Sequence, residues 1–302
     1  MTTLLHTQLK YLDMKMKILT LGLGLMAVST LSSLAIAKDI LTSIPVTYML
    51  SEQLMKGTGV ETTYLPPKRY GIERVANWFA TKGANQVSEA GKSATVAITM
   101  RAIWDQDPTY VYARQGNIRL IEIDASQAIS PRAQGVAALK LEDGATSKYV
   151  WLNPSNLIRM TAIVGDDLQK LYPQFQEQIQ RNQQALMLSV RELINQQQAV
   201  IFEKEIDSIV LMSESLEDFA SGNQLFVVKR QFKPELEWSE KDKLSLKAQF
   251  EQDKTLWLVT DKKPSKILTS LVSPDRILQI DNIDRWGSKG IKTEKPLARW
   301  KM

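Results

Sequence analysis

The 302-residue chain has no cysteine and a single histidine, His6, which excludes disulfides, cysteine nucleophiles, iron–sulfur clusters, cysteine-based zinc sites and any site built on several histidines. At 44% hydrophobic and 24% charged it can bury a substantial core, and its length suggests about two domains or one large one. The net charge of +5 is mild and spread out, without the clustered Lys, Arg and stacking aromatics of a nucleic-acid reader, so no nucleic-acid partner is expected.

Residues 14–37 read as a signal peptide. Lys15 and Lys17 give a basic start, Ile18–Leu31 is an apolar run short for a bilayer span, and Ala35-Ile36-Ala37 is a small-x-small cleavage site. Residues 1–13 precede a complete basic region and read as an over-extended start, with initiation at Met14 or Met16. Cleavage after Ala37 leaves a mature chain from Lys38 with neither His nor Cys, hence no lipid attachment and no stable membrane anchor. The expected compartment is periplasmic.

The mature chain then alternates. Strands are predicted over 39–45, 60–65, 94–100 and 118–123, and helices over 46–56, 72–81 (stopping near Gly83) and 107–114. Residues 126–148 are polar, interrupted by Gly and Pro, and loop-like. A helix over 156–171 follows Pro154. Pro173 opens a second, running to about Glu203 almost without breakers, unless a turn near Gln196–Gln198 splits it. Strands over 206–212, 225–232, 255–260 and 276–280 then alternate with helices over 214–220, 239–252 and 264–272, before a polar tail, 284–302. The pattern predicts an α/β protein with two parallel-sheet lobes, 38–155 and 205–283, joined by a helical linker, 156–204, whose backbone is the long helix 173–203.

This layout resembles the metal-specific (zinc/manganese-type, cluster A-I) solute-binding proteins of ABC importers. Tyr149-Val-Trp-Leu-Asn-Pro154 is similar to that family's His-x-Trp-Leu-Asp-Pro segment, and Pro67-Lys-Arg-Tyr70 to its Pro-His-x-Tyr loop. Residues 211–220 and 279–283 resemble the strand ends that carry its third and fourth ligands. The likeness covers about residues 39–283. It implies capture of a ligand between lobes and delivery to an inner-membrane permease.

The departures fall on the implied ligands. The first family histidine falls on Lys68, the second on Tyr149, the third ligand on Ser213, and only Asp281 keeps a metal-competent side chain. The Asp of the Trp-Leu-Asp-Pro segment is Asn153. A lysine repels a divalent cation, a protonated tyrosine and a serine are poor ligands, and one carboxylate is not a site. Tight zinc or manganese binding is therefore not expected, and no other cofactor is identified. Glu214 or Asp218 moving in, or a Tyr149 or Tyr70 phenolate binding a harder ion such as Fe³⁺, remain alternatives. So do an Asp281–Lys68 ion pair across the lobes, and a small anionic or polyhydroxylated solute held by Lys68, Arg69, Tyr70, Tyr149 and Ser213. Gly91-Lys92-Ser93 lacks the first glycine of a phosphate loop, and no histidine is left as a general base, so no enzyme is expected. The expected function is a solute-binding component of an ABC importer with most metal ligands replaced. The alternative is a non-transport periplasmic accessory protein with no cleft ligand.

Overall fold

The computed structural model describes residues 40–128 and 134–302. The expected start extension and signal peptide lie outside the described residues. Among these residues no helix is long and apolar enough to cross a membrane.

Two four-stranded, all-parallel sheets carry the fold. The first is built from β1 (Ile40–Thr42), β2 (Thr62–Tyr64), β3 (Val96–Thr99) and β4 (Ile121–Asp124), in the order β2-β1-β3-β4. The second repeats that order with β5 (Ser208–Leu211), β6 (Phe226–Arg230), β7 (Trp257–Thr260) and β8 (Ile277–Gln279), as β6-β5-β7-β8. The central strands read as apolar runs because helices cover both faces, and β1, β3 and β7 are buried at every position. In each sheet the chain leaves the central strand first to one side and then to the other. That places a crevice outside the strand carboxyl ends, at the switch between β1 and β3 and between β5 and β7.

In the first lobe the helices are α1 (Pro45–Leu54), α2 (Ile72–Trp78), α3 (Ala84–Ser93) and α4 (Thr109–Arg114). Gly83 does not stop α2 as the sequence suggested. A π-helical turn, Phe79–Gly83, carries the chain straight into α3. Gly83 lies flat against the Trp78 ring, where a Cβ would come within 2.8 Å of the ring carbons, so the glycine serves packing and not termination. Continuing the helix also buries Val87.

The linker consists of α5 (Pro154–Leu171) and, after a 3₁₀ turn at Pro173–Phe175, α6 (Gln176–Glu203). Helix α6 is unbroken through Gln196–Gln198; at 28 residues it is about 42 Å long. Its buried stripe, Ile179, Leu186, Val190 and Leu193, recurs at helical spacing, and α6 packs on α5 and α1. The second lobe adds α7 (Glu217–Gly222), α8 (Glu240–Gln252) and α9 (Lys266–Leu271). Helix α8 starts with a reciprocal box in which Ser239 caps the Asp242 amide and Asp242 accepts from the Ser239 amide. Leu246 and Phe250 anchor it in a core with Val210, Trp238, Leu258 and Leu268.

Residues 284–302, read from composition as a polar tail, form neither helix nor strand but are folded onto the body. Leu297 and Trp300 are buried. Two apolar anchors in a polar stretch gave too little periodicity to signal this.

Candidate functional site in the interlobe cleft

The site is assembled from loops that follow strand carboxyl ends. Lys68 follows β2, Ser213 follows β5, Asp261 follows β7, and Asp281, Asn282 and Asp284 follow β8. Tyr149 and Trp151 arrive from the turn that precedes α5. Fully buried Trp151 ties the two lobes: its Nε1 donates to the Asn282 carbonyl at 3.0 Å, and its own carbonyl accepts from Trp300 Nε1 at 3.1 Å.

Asp281 does not pair with Lys68. Arg299 grips it in a fork, Nη2 to Oδ1 at 2.9 Å and Nε to Oδ2 at 3.0 Å, with Lys289 Nζ on Oδ2 at 3.3 Å. The Ile283 amide adds a fourth donor at 3.0 Å. Partial burial opposes the charged form of Asp281, but the Arg299 guanidinium, the Ile283 amide and Lys289 outweigh it and hold the carboxyl below its ordinary range. Lys68 is exposed and stands over the Trp286 ring, 5.2 Å from its centroid, and its carbonyl accepts from the Gly287 amide at 2.9 Å. The sequence reading missed Arg299 because no spacing rule links a C-terminal arginine to a strand end 18 residues earlier.

Tyr149 is half-buried, its ring 5.3 Å from that of Trp151. Burial first, then the carboxylates of Asp284, Glu73 and Asp261, push its phenol well above the ordinary value, so it is protonated at neutral pH. Tyr64 shifts the same way through burial and Asp284, and its buried hydroxyl has no hydrogen-bond partner among the described residues. Ser213 Oγ donates to Asp261 Oδ2 at 3.1 Å and sits 2.8 Å from Ser215 Oγ. Ser215 and Asn282 Nδ2 reach the same carboxylate oxygen at 3.3 and 3.1 Å. Asp284 packs directly against Gly71 and pairs with Arg285 at 3.1 Å. Asp261, Asn282, Asp284, Trp286, Lys289 and Arg299 line a cavity of about 210 Å³.

The remaining expected positions make contacts of their own. Asn153 caps α5, accepting from the Ser155 amide at 3.0 Å, and backs onto Gly222. Arg69 is exposed and covers the Tyr70 ring at 5.4 Å. Glu214 is exposed, and desolvation together with the neighbouring Asp143, Glu217, Glu73 and Glu142 raises its carboxyl.

This donor set does not fit a zinc-type cation. The Asp281 carboxylate is neutralised by two side-chain cations, Tyr149 is protonated, and Ser213 offers only a neutral hydroxyl. Among the described residues no group of three or more His, Cys, Asp or Glu side chains lies close enough to hold a metal ion.

Asp218, beneath the loop that carries Tyr149, is 1% exposed and leaves Oδ2 without a partner. Burial raises its carboxyl to about 6, against the lowering effect of a Ser147 hydrogen bond, and fully buried Asp107 moves in the same direction. The folded state thus holds protons that the unfolded chain releases near pH 4, so this contribution to stability falls as pH rises from about 4 to 6. Urea unfolding of Asp218→Asn and the parent should show the variant gaining on the order of 2 kcal/mol relative to the parent between pH 4.5 and 7.5. An equal difference at both pH values would show that Asp218 titrates normally.

No family profile and no curated protein sequence matches the chain. Solved structures do. A crystal structure of ZnuA aligns at 18% identity and TM-score 0.59, covering 82% of this chain and 92% of that one. The metal-dependent lipoprotein YcdH of Bacillus subtilis aligns at 15% and 0.64, covering 85% and 91%. FpvC of Pseudomonas aeruginosa, a solute-binding protein in complex with Mn²⁺, aligns at 12% and 0.61, covering 87% and 94%. The chain therefore has the two-lobed α/β fold of the zinc- and manganese-type solute-binding proteins.

Proposed function

We propose that the protein is a periplasmic solute-binding component of an ABC importer whose cleft no longer takes a first-row divalent cation, and that it is not an enzyme. Residues 14–37 direct it to the periplasm, and its partner is an inner-membrane permease. The observation that carries the reading is the Asp281–Arg299 fork: the one carboxylate kept at a family ligand position already has its cation. Solute is held between the lobes, and the long α6 allows only small lobe movements.

The groups that line the cavity set the class of solute. Asp261, Asp281 and Asp284 line the cavity against Arg285, Lys289 and Arg299, so its charges balance while its polar groups both accept and donate hydrogen bonds, and Trp286 offers an apolar wall. These favour a small polyhydroxylated solute over a simple anion. The accessory reading, with no solute, is favoured by one observation: residues 284–300 already cover the cleft side.

A thermal-shift panel on residues 38–302 tests this with Zn²⁺, Mn²⁺, Fe³⁺, phosphate, sulfate and a set of sugars and polyols. Binding at 100-fold over Kd stabilises by about 2.7 kcal/mol, a rise of roughly 5–10 °C in Tm. The expected result is such a rise with a polyhydroxylated compound and none with Zn²⁺ or Mn²⁺. A rise with no compound would favour the accessory reading, and a rise with Zn²⁺ would sink the proposal.

A further inference from the structure

We propose that residues 284–300 form a strap that holds the two lobes closed over the cleft and must release before a solute can enter or leave. The segment leaves the second lobe after β8 and docks on the first. Trp286 inserts there between three side chains: its ring lies 4.7 Å from that of Tyr48 and 5.1 Å from that of Tyr64, with the Lys68 ammonium at 5.2 Å. The Gly287 amide donates to the Lys68 carbonyl at 2.9 Å, and Gln53 of α1 donates to the Thr293 carbonyl at 3.1 Å. The chain then turns back along α6, where Gln197 donates to the Trp300 carbonyl at 2.8 Å. Arg299 finally returns to Asp281, next to where the segment began, and also donates to the carbonyls of Arg285 and Trp286 at 2.9 and 3.1 Å. The strap is thus a loop closed at its base by an ion pair, with its tip fastened to the opposite lobe.

Its backbone carries an independent mark. Ile283, fully buried at the point of departure, has φ 57°, a left-handed conformation that a β-branched residue adopts only under constraint. The constraint comes from both sides: the Asp281 carboxylate accepts its amide, and Trp151 holds the Asn282 carbonyl. Gly287 and Gly290, both at φ 62°, supply the turns at the tip without such strain. Strain at the base, adaptable glycines at the tip and few apolar anchors between them describe a segment that opens locally before the lobes unfold. The consequence for solute access rests on the solute-binding reading, whereas the strap itself is tested without any solute.

The absence of cysteine allows clean labelling. Spin labels at Gln86→Cys on α3 and Ser245→Cys on α8, both exposed, report the distance between lobes by pulsed electron resonance. The parent should give one narrow distribution, and Trp286→Ala a broader one shifted to longer distance. An unchanged distribution in a folded Trp286→Ala protein would overturn the strap. If that variant does not fold, hydrogen exchange of the parent decides. The Gly287 and Gly290 amides should exchange at least about tenfold faster than those of β1, β3, β5 and β7. Exchange together with the strands would overturn the proposal.

Discussion

Trp151→Ala is expected to cost about 4 kcal/mol of unfolding free energy, the largest effect of any single truncation in the cleft. The indole is fully buried, so its removal leaves a cavity that the surrounding backbone cannot fill. It also abolishes the bond to the Asn282 carbonyl, one of the direct ties between the two lobes. Trp151→Phe separates the two contributions. Phenylalanine keeps most of the packing but leaves the Asn282 carbonyl without that donor, and about 1–2 kcal/mol of the loss should remain. Urea denaturation of the mature protein measures both. A loss below about 1 kcal/mol for the alanine variant would show that the turn before α5 is not the joint between lobes.

Arg299→Ala should cost about 3 kcal/mol, because it leaves Asp281, among the described residues, with Lys289 alone as a charged partner in a partly desolvated position. The side chains of Arg299 and Asp281 are 9% and 18% exposed, so solvent screens the pair only partly. Asp281→Asn alone strands the guanidinium and should also destabilise. The double variant should lose less than the sum of the two, with a coupling of about 1–3 kcal/mol in a double-mutant cycle. Additive losses would mean that the fork contributes nothing beyond its surroundings.

Most of the fold was legible in the sequence because helices and strands have different periods. Ile179, Leu186, Val190 and Leu193 mark the long helix, and the apolar runs at β3 and β7 mark central parallel strands. The misreadings share one cause. At Gly83 a residue that usually ends helices is there for close packing, and at 284–302 a polar composition hid tertiary anchors spaced too widely for any local pattern. The positions Lys68, Tyr149, Ser213 and Asp281 came from resemblance. What surrounds them was not legible, since the contacts of Arg299, Trp286 and Asp284 join segments far apart in the chain. Asp261 was nearer to reach, as the first residue after an apolar strand at the end where ligands collect.

The proposal that the cleft takes no first-row divalent cation is tested most directly by calorimetric titration of residues 38–302 with Zn²⁺ at neutral pH. Arg299 and Lys289 on Asp281, together with protonated Tyr149, predict no saturable binding tighter than about 10 µM, that is, less than about 7 kcal/mol of binding free energy. Stoichiometric Zn²⁺ binding at sub-micromolar Kd, lost in Asp281→Asn, would contradict the account.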